Sequence, residues 1–191
     1  MALSAEAYPA AHRFNRAEYQ RMTEAGLFLT ERVELLDGVI VTMSPQKSRH
    51  AGTVHRLLAV LSRVLARAAY LRVQAPVILS DWSEPEPDIV VCNPDPDDYT
   101  KEHPRAHQVH LIIEVADTSL QFDRTEKAHA YAASNIGEYW IVNLIDRSVE
   151  VFSAPDTANG RYGHQRTAIA GDALSLPDGQ TIAVSEILPP A

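Results

Sequence analysis

The stretch "VHLIIEV", Val109 to Val115, constrains this chain more than any other segment. An apolar run of this kind reads as a strand at the centre of a sheet covered on both faces, because a strand with one wet face alternates polar and apolar residues. Glu114 interrupts the run. A carboxylate in that setting is costly to bury unless it is paired, hydrogen-bonded or coordinated. A helical pattern, "FDRTEKAHAYAAS", follows and leads to a second apolar run, "EYWIVN". The helix must therefore fold back over the sheet, carrying Lys127 with it.

The rest of the chain supplies a sheet and its cover. "NRAEYQRMTEAG" predicts a short helix with Asn15 as its cap and Gly26 at its end. In "RVELLDGVIVTM" the Asp37-Gly38 pair signals a hairpin. From Ser48 to about Ala69, Val54, Leu57, Leu58, Leu61, Val64, Leu65 and Ala68 recur on one helix face, with His50 on that side. Arg49, Arg56, Arg63 and Arg67 lie on another face and read as a solvated stripe. "LRVQAPVIL" and "DIVVC" predict strands, and "NPDPDDYTKEHPRAHQ" an exposed connection. "EYWIVN" and "SVEVFSA" form a hairpin, and the tail adds short strands around Pro177-Asp178-Gly179. The order predicts an α/β (α+β) fold, a mixed central β-sheet flanked by helices with extra β-hairpins. At 191 residues one domain, 1–191, is expected, with residues 1–12 as a flexible N-terminus.

Apolar residues make up 46% and charged residues 22%, as in an ordinary globular protein. The first residues show no secretory signal, no run is long enough to span a membrane, and the one cysteine, Cys92, reads as a buried thiol; a cytoplasmic protein is expected. A net charge of −8 argues against coating nucleic acid by bulk electrostatics. Charge is uneven, however. Between Asp37 and Asp81 there is no acid, while Lys47, Arg49, Arg56, Arg63, Arg67 and Arg72 are basic.

The residues that carry chemistry are Asp88, Glu114 and Lys127. Asp88 opens one strand and Glu114 lies near the end of another. If those strands are neighbours, the two carboxylates share one space and repel unless something positive lies between them. A divalent cation, Mg²⁺ or Mn²⁺, suits such a pair when a backbone carbonyl and waters complete its shell. Lys127 then orients the attacking water or stabilises developing charge. Asp123 and Lys127 also stand at i,i+4, which is the spacing of an ordinary surface pair. Glu34 is explained as well by a pair with Arg32 or Arg13, and His50 by capping or packing at its helix start. Tyr131 lines the site or packs beneath it; Tyr139 and Trp140 read as core. His103, His107 and His110 are set aside as metal ligands, because two of them lie in the irregular connection.

"EPEPDIVV" and "LIIEVADTSLQFDRTEKAHAYAASNIGEYWIVN", with "RVELLDGVIVTMSP" and "RHAGTVHRLL", resemble the Uma-type restriction endonuclease family of the PD-(D/E)XK nuclease superfamily, in the family's order, from about Asn15 to Phe152. The resemblance implies a restriction-endonuclease-like fold. It also implies that Asp88 and Glu114 are metal ligands, with the Val115 carbonyl completing the shell. A strict pattern places lysine at position 116, where this chain has Ala116. The resemblance implies that the lysine has migrated to the next helix as Lys127, and that Glu34 and His50 join the site.

Three functions compete at this point. The first is a Mg²⁺- or Mn²⁺-dependent endonuclease acting on DNA, as a possible homodimer and away from membranes. The second is a catalytically inactive nuclease-fold protein that binds nucleic acid or protein. The third uses Asp88 and Glu114 as an acid and base pair on a sugar, and leaves Lys127 without a role. If the two acids merely repel, Glu114→Gln is expected to raise the melting temperature of the metal-free protein.

Overall fold

The computed structural model describes residues 11–65 and 69–190. Arg67 and residues 1–10, with the expectations placed on them, lie outside the described residues. Helix α1 (Arg16–Glu24) starts on a reciprocal cap: Asn15 Oδ1 accepts from the Glu18 N–H at 3.0 Å, and the Glu18 carboxylate accepts from the Asn15 N–H at 2.9 Å. Strands β1 (Val33–Leu36) and β2 (Val39–Thr42) form the expected hairpin. Its turn residues Asp37 and Gly38 are both left-handed, at φ 48° and 76°, which matches the twist of the flanking strands.

A six-stranded sheet follows, in the order β3-β4-β5-β6-β7-β8. Its strands are β3 (Tyr70–Val73), β4 (Ile89–Cys92), β5 (Val109–Ala116), β6 (Glu138–Asn143), β7 (Ser148–Asp156) and β8 (Arg161–Ala168). Only β5 and β6 pair in parallel; their neighbours are antiparallel. The parallel pair needs a crossover, and residues 120–133 supply it as α3 (Leu120–Phe122), a π-helical turn (Asp123–Lys127) and α4 (Ala128–Ala133). The predicted strand "LRVQAPVIL" is corrected: β3 stops at Val73, Gln74 turns left-handed at φ 49°, and the chain continues with only an isolated bridge from Ile78 to Arg105. The long connection before β5 is more firmly held than its composition predicts. Tyr99 is buried, stacks edge-on against Tyr70 and donates from its OH to the Asn93 carbonyl at 2.8 Å.

Alternation along the central strands divides the interior in two. Leu111, Ile113 and Val115 face Val54, Leu57 and Leu61 of helix α2 (Ser48–Leu65), together with Trp140 and residues of the C-terminal hairpin, β9 (Ala173–Ser175) and β10 (Thr181–Ala183), and of α5 (Val184–Ile187). Ile112 and Ala116 face the opposite layer, where Ala128, Tyr131 and Tyr139 pack. Glu114 shares the parity of this second layer and so lies beneath the crossover. Arg49, Arg56 and Arg63 are exposed, and Arg63 is paired with Glu186.

Leu61 is fully buried whereas Arg56 reaches solvent. By urea denaturation, Leu61→Ala is expected to lower stability by about 2–5 kcal/mol. Arg56→Gln is expected to change it by less than about 0.5 kcal/mol.

Candidate active site

Ile89 pairs with Ile113 across the antiparallel β4 and β5, which sets Asp88 beside Glu114 on the face the crossover covers. Each carboxylate accepts the other strand's backbone. The Asp88 N–H donates to Glu114 Oε2 at 3.3 Å, and the Val115 N–H donates to Asp88 Oδ2 at 2.9 Å. Register therefore sets the two acids side by side.

The remaining expected residues converge on this pair from separate elements. Lys127 Nζ lies 2.8 Å from Glu114 Oε1 and 3.3 Å from Glu34 Oε2. Glu34, on β1, also accepts the Glu86 N–H at 2.9 Å. The Tyr131 hydroxyl donates to Glu114 Oε1 at 2.8 Å. His50, in the first turn of α2, places Nε2 3.0 Å from Asp88 Oδ2, while its buried Nδ1 has no partner. Glu34, Asp88, Glu114 and Lys127 are all buried. Glu34 is thus bound to Lys127, while Arg32 pairs with Glu86.

Lys127 is the last residue of the π-helical turn. Within it Asp123 and Lys127 are buried, and Arg124, Thr125 and Glu126 between them are exposed. The turn is fastened at both edges. Asp123 Oδ2 accepts the Ser119 hydroxyl at 2.6 Å, and the Tyr139 hydroxyl donates to the Asp123 carbonyl at 3.1 Å. On the outer side Arg124 grips the buried Glu150 of β7 through two bonds of 2.9 and 2.6 Å. Single-turn π segments are frequent at functional sites.

Burial drives the Glu114 carboxyl up to about 8; the Lys127 charge opposes this, and Asp88, Asp123 and Glu34 add to it. Asp123 is raised to about 6, again by burial first, against the pull of Lys127 and the Ser119 hydroxyl. Burial would lower Lys127, but the carboxylates of Glu114, Glu34 and Asp123 outweigh it and hold the ammonium above the ordinary lysine range. Asp88 moves the other way. Desolvation raises it, yet the hydrogen bond and charge of His50, the Val115 N–H and the Gln74 amide leave it below the ordinary carboxylate value. His50 is correspondingly raised: burial disfavours its cation, and Asp88 more than restores it. The acids outnumber Lys127 and His50, so the site attracts cations.

The donor set can be tested against a hard cation. Among the described residues no group of three or more His, Cys, Asp and Glu side chains is arranged to hold a metal by itself. Two carboxylates suffice for Mg²⁺, which retains several waters. A carboxylate offers about four acceptor positions. Asp88 uses Oδ2 for His50 and Val115 and Oδ1 for Gln74; Glu114 uses Oε1 for Lys127 and Tyr131 and Oε2 for Asp88. Each carboxylate keeps an acceptor position unfilled, so the oxygen-only donor set fits a hard divalent ion.

Glu34, His50, Asp88, Glu114, Asp123 and Lys127 line a cleft of about 370 Å³ between the β1–β2 hairpin, the start of α2 and the loop after β5. Lys47 and Asp117, 3.6 Å apart, meet at its rim. The set-aside histidines lie elsewhere: His103 bonds Arg72 and His110 bonds Asn93. Two residues escaped the sequence reading. The i,i+4 spacing of Asp123 and Lys127 is equally that of an ordinary surface pair and gives no sign that both are buried, and Gln74, bonded to Asp88 Oδ1, sits in what the pattern shows as the middle of a strand.

No curated protein matches the chain. Its fold is similar to a crystal structure from Anabaena variabilis ATCC 29413 described as "a putative nuclease belonging to DUF820", with a TM-score of 0.71, 12% sequence identity, and coverage of 92% of this chain and 97% of that one. Residues 16–189, a span that contains every residue of the cleft named above, match the family model described as "Uma2: Putative restriction endonuclease", and the chain belongs to that family.

Proposed function

We propose that the protein is a metal-dependent endonuclease that hydrolyses phosphodiester bonds in DNA, with Asp88, Glu114 and Lys127 at its centre. The observation that carries this reading is the seating of the Lys127 ammonium 2.8 Å from Glu114, in a cleft that also holds Asp88. The Asp88 and Glu114 carboxylates, with the Val115 carbonyl, would hold Mg²⁺ or Mn²⁺. When bound, the ion supplies Lewis-acid polarisation of a phosphoryl oxygen and a lower pKa for the attacking water.

The protein's own groups do the positioning. Tyr131 and the Asp88 N–H fix the Glu114 carboxylate, and His50 and the Val115 N–H fix Asp88. Lys127, kept cationic by its three acids, stabilises charge developing on the phosphate as the water oxygen bonds to phosphorus and the ester P–O bond breaks. Glu34 anchors the ammonium from its far side. Two copies cutting one strand each, in the cytoplasm, would complete the reading for duplex DNA.

Plasmid and single-stranded DNA incubated with Mg²⁺ or Mn²⁺ test it. Cleavage is expected with either ion and none with chelator, and Lys127→Met is expected to cut at least about 100-fold more slowly. Binding of DNA without cleavage under all of these conditions would replace the enzyme with the inactive binding module.

In this reading the lost hydrogen bonds outweigh the relieved repulsion, and the sign expected for Glu114→Gln is the opposite one. Lys127 and His50 offset part of the repulsion between the acids, and the new amide sets an N–H donor among the donors Lys127, Tyr131 and the Asp88 N–H. Metal-free Glu114→Gln is expected to be less stable than the wild type by about 1–3 kcal/mol. Metal titrations add a second readout: at a concentration about 100 times its dissociation constant the ion should stabilise the wild type by about 2.7 kcal/mol and the variant hardly at all. Equal responses in thermal melts would place the ion elsewhere.

A further inference from the structure

Gln74 follows β3 directly across from Asp88, and its backbone N–H donates to the Asp88 carbonyl at 3.1 Å. It lies in the left-handed region at φ 49°. A side chain with a Cβ is disfavoured there, and glycine is the usual occupant. The backbone bond to Asp88 needs no side chain. What glycine could not supply is the amide, whose Nε2 reaches Asp88 Oδ1 at 3.2 Å. An ionised carboxylate only accepts hydrogen bonds, so the NH₂ end of the amide must be the end that faces it.

We propose that Gln74 is a positioning residue: it fixes the rotation of the Asp88 carboxylate, so that Oδ2 stays on His50 and the Val115 N–H and Oδ1 keeps its unfilled acceptor position. The inference deepens the nuclease reading and rests on it for its functional meaning. Without the amide, Asp88 is held at Oδ2 alone, by the His50 and Val115 bonds of 3.0 and 2.9 Å. The strained backbone is then the cost of keeping a side chain that serves the site.

Gln74→Ala and Gln74→Gly test this together. Both remove the amide, but only glycine relieves the backbone, so the glycine variant should melt about 2–4 °C above the alanine variant. In both, the Val115 amide proton, read by NMR without metal or DNA, should move to lower chemical shift as its bond to Asp88 loosens. Mn²⁺ affinity, followed by thermal melts, and DNA cleavage should each fall about 10–100-fold, equally in both variants. A merely structural Gln74 would give cleavage that tracks melting temperature, with the glycine variant the more active; that result overturns the proposal. So does an unmoved Val115 signal. If the wild type neither binds Mn²⁺ nor cuts DNA, the nuclease reading has failed, and the Val115 signal still decides whether Gln74 sets the Asp88 carboxylate.

Discussion

The contact between Lys127 and Glu114, buried beneath the crossover, is the interaction on which the rest of the site depends. Either group alone would be a strongly unfavourable charge in the interior; together they still carry a large desolvation cost that attraction must offset. The surroundings show how it is met. Glu34 adds a second carboxylate to the ammonium, Tyr131 adds a hydroxyl to Glu114, and the Asp88 N–H takes the remaining oxygen. Every one of these partners comes from a different part of the fold, so the hairpin, the sheet and the crossover are joined by a single polar cluster.

Two backbone irregularities border the cluster. Gln74 ends β3 in a left-handed conformation beside Asp88, and the π-helical turn points Asp123 and Lys127 inward together. A regular strand would not give the first, whereas Asp123 and Lys127, at i,i+4, share a face in an α-helical turn as well. Both irregularities are fastened from outside the cleft or across the sheet, by Arg124 with Glu150 in one case and by the Asp88 carbonyl in the other. The central strands, by contrast, need no such device, because alternation and apolar packing hold their register.

Much of this was legible in the residues. The Asp37-Gly38 turn, the capping of α1, the amphipathic α2 and the apolar β5 and β6 each follow from local chemistry, and with them the mixed sheet. The placement of Asp88 against Glu114 followed from strand adjacency, and the approach of Lys127 to Glu114 from family resemblance. Side-chain partnerships were less legible. Glu34 had arginines close by in sequence and chose Lys127, because a hairpin's position against a distant helix is decided by packing. Tyr99 was hidden in a proline-rich connection whose polarity gave no sign of an anchor. The π-helical turn and the φ of Gln74 are tertiary outcomes without a compositional mark.

The crossover has one more meaning for a protein of this kind. The two acids sit on strands that pair with each other, but the ammonium arrives on a helix that must dock separately. A chain in which β4 and β5 have met while the crossover is still loose holds both carboxylates and lacks its cation. On the function proposed above, such a half-formed molecule lacks a group that its chemistry needs. On that same reading, competence to attack a phosphodiester therefore depends on the docking of the crossover as well as on the pairing of the two strands.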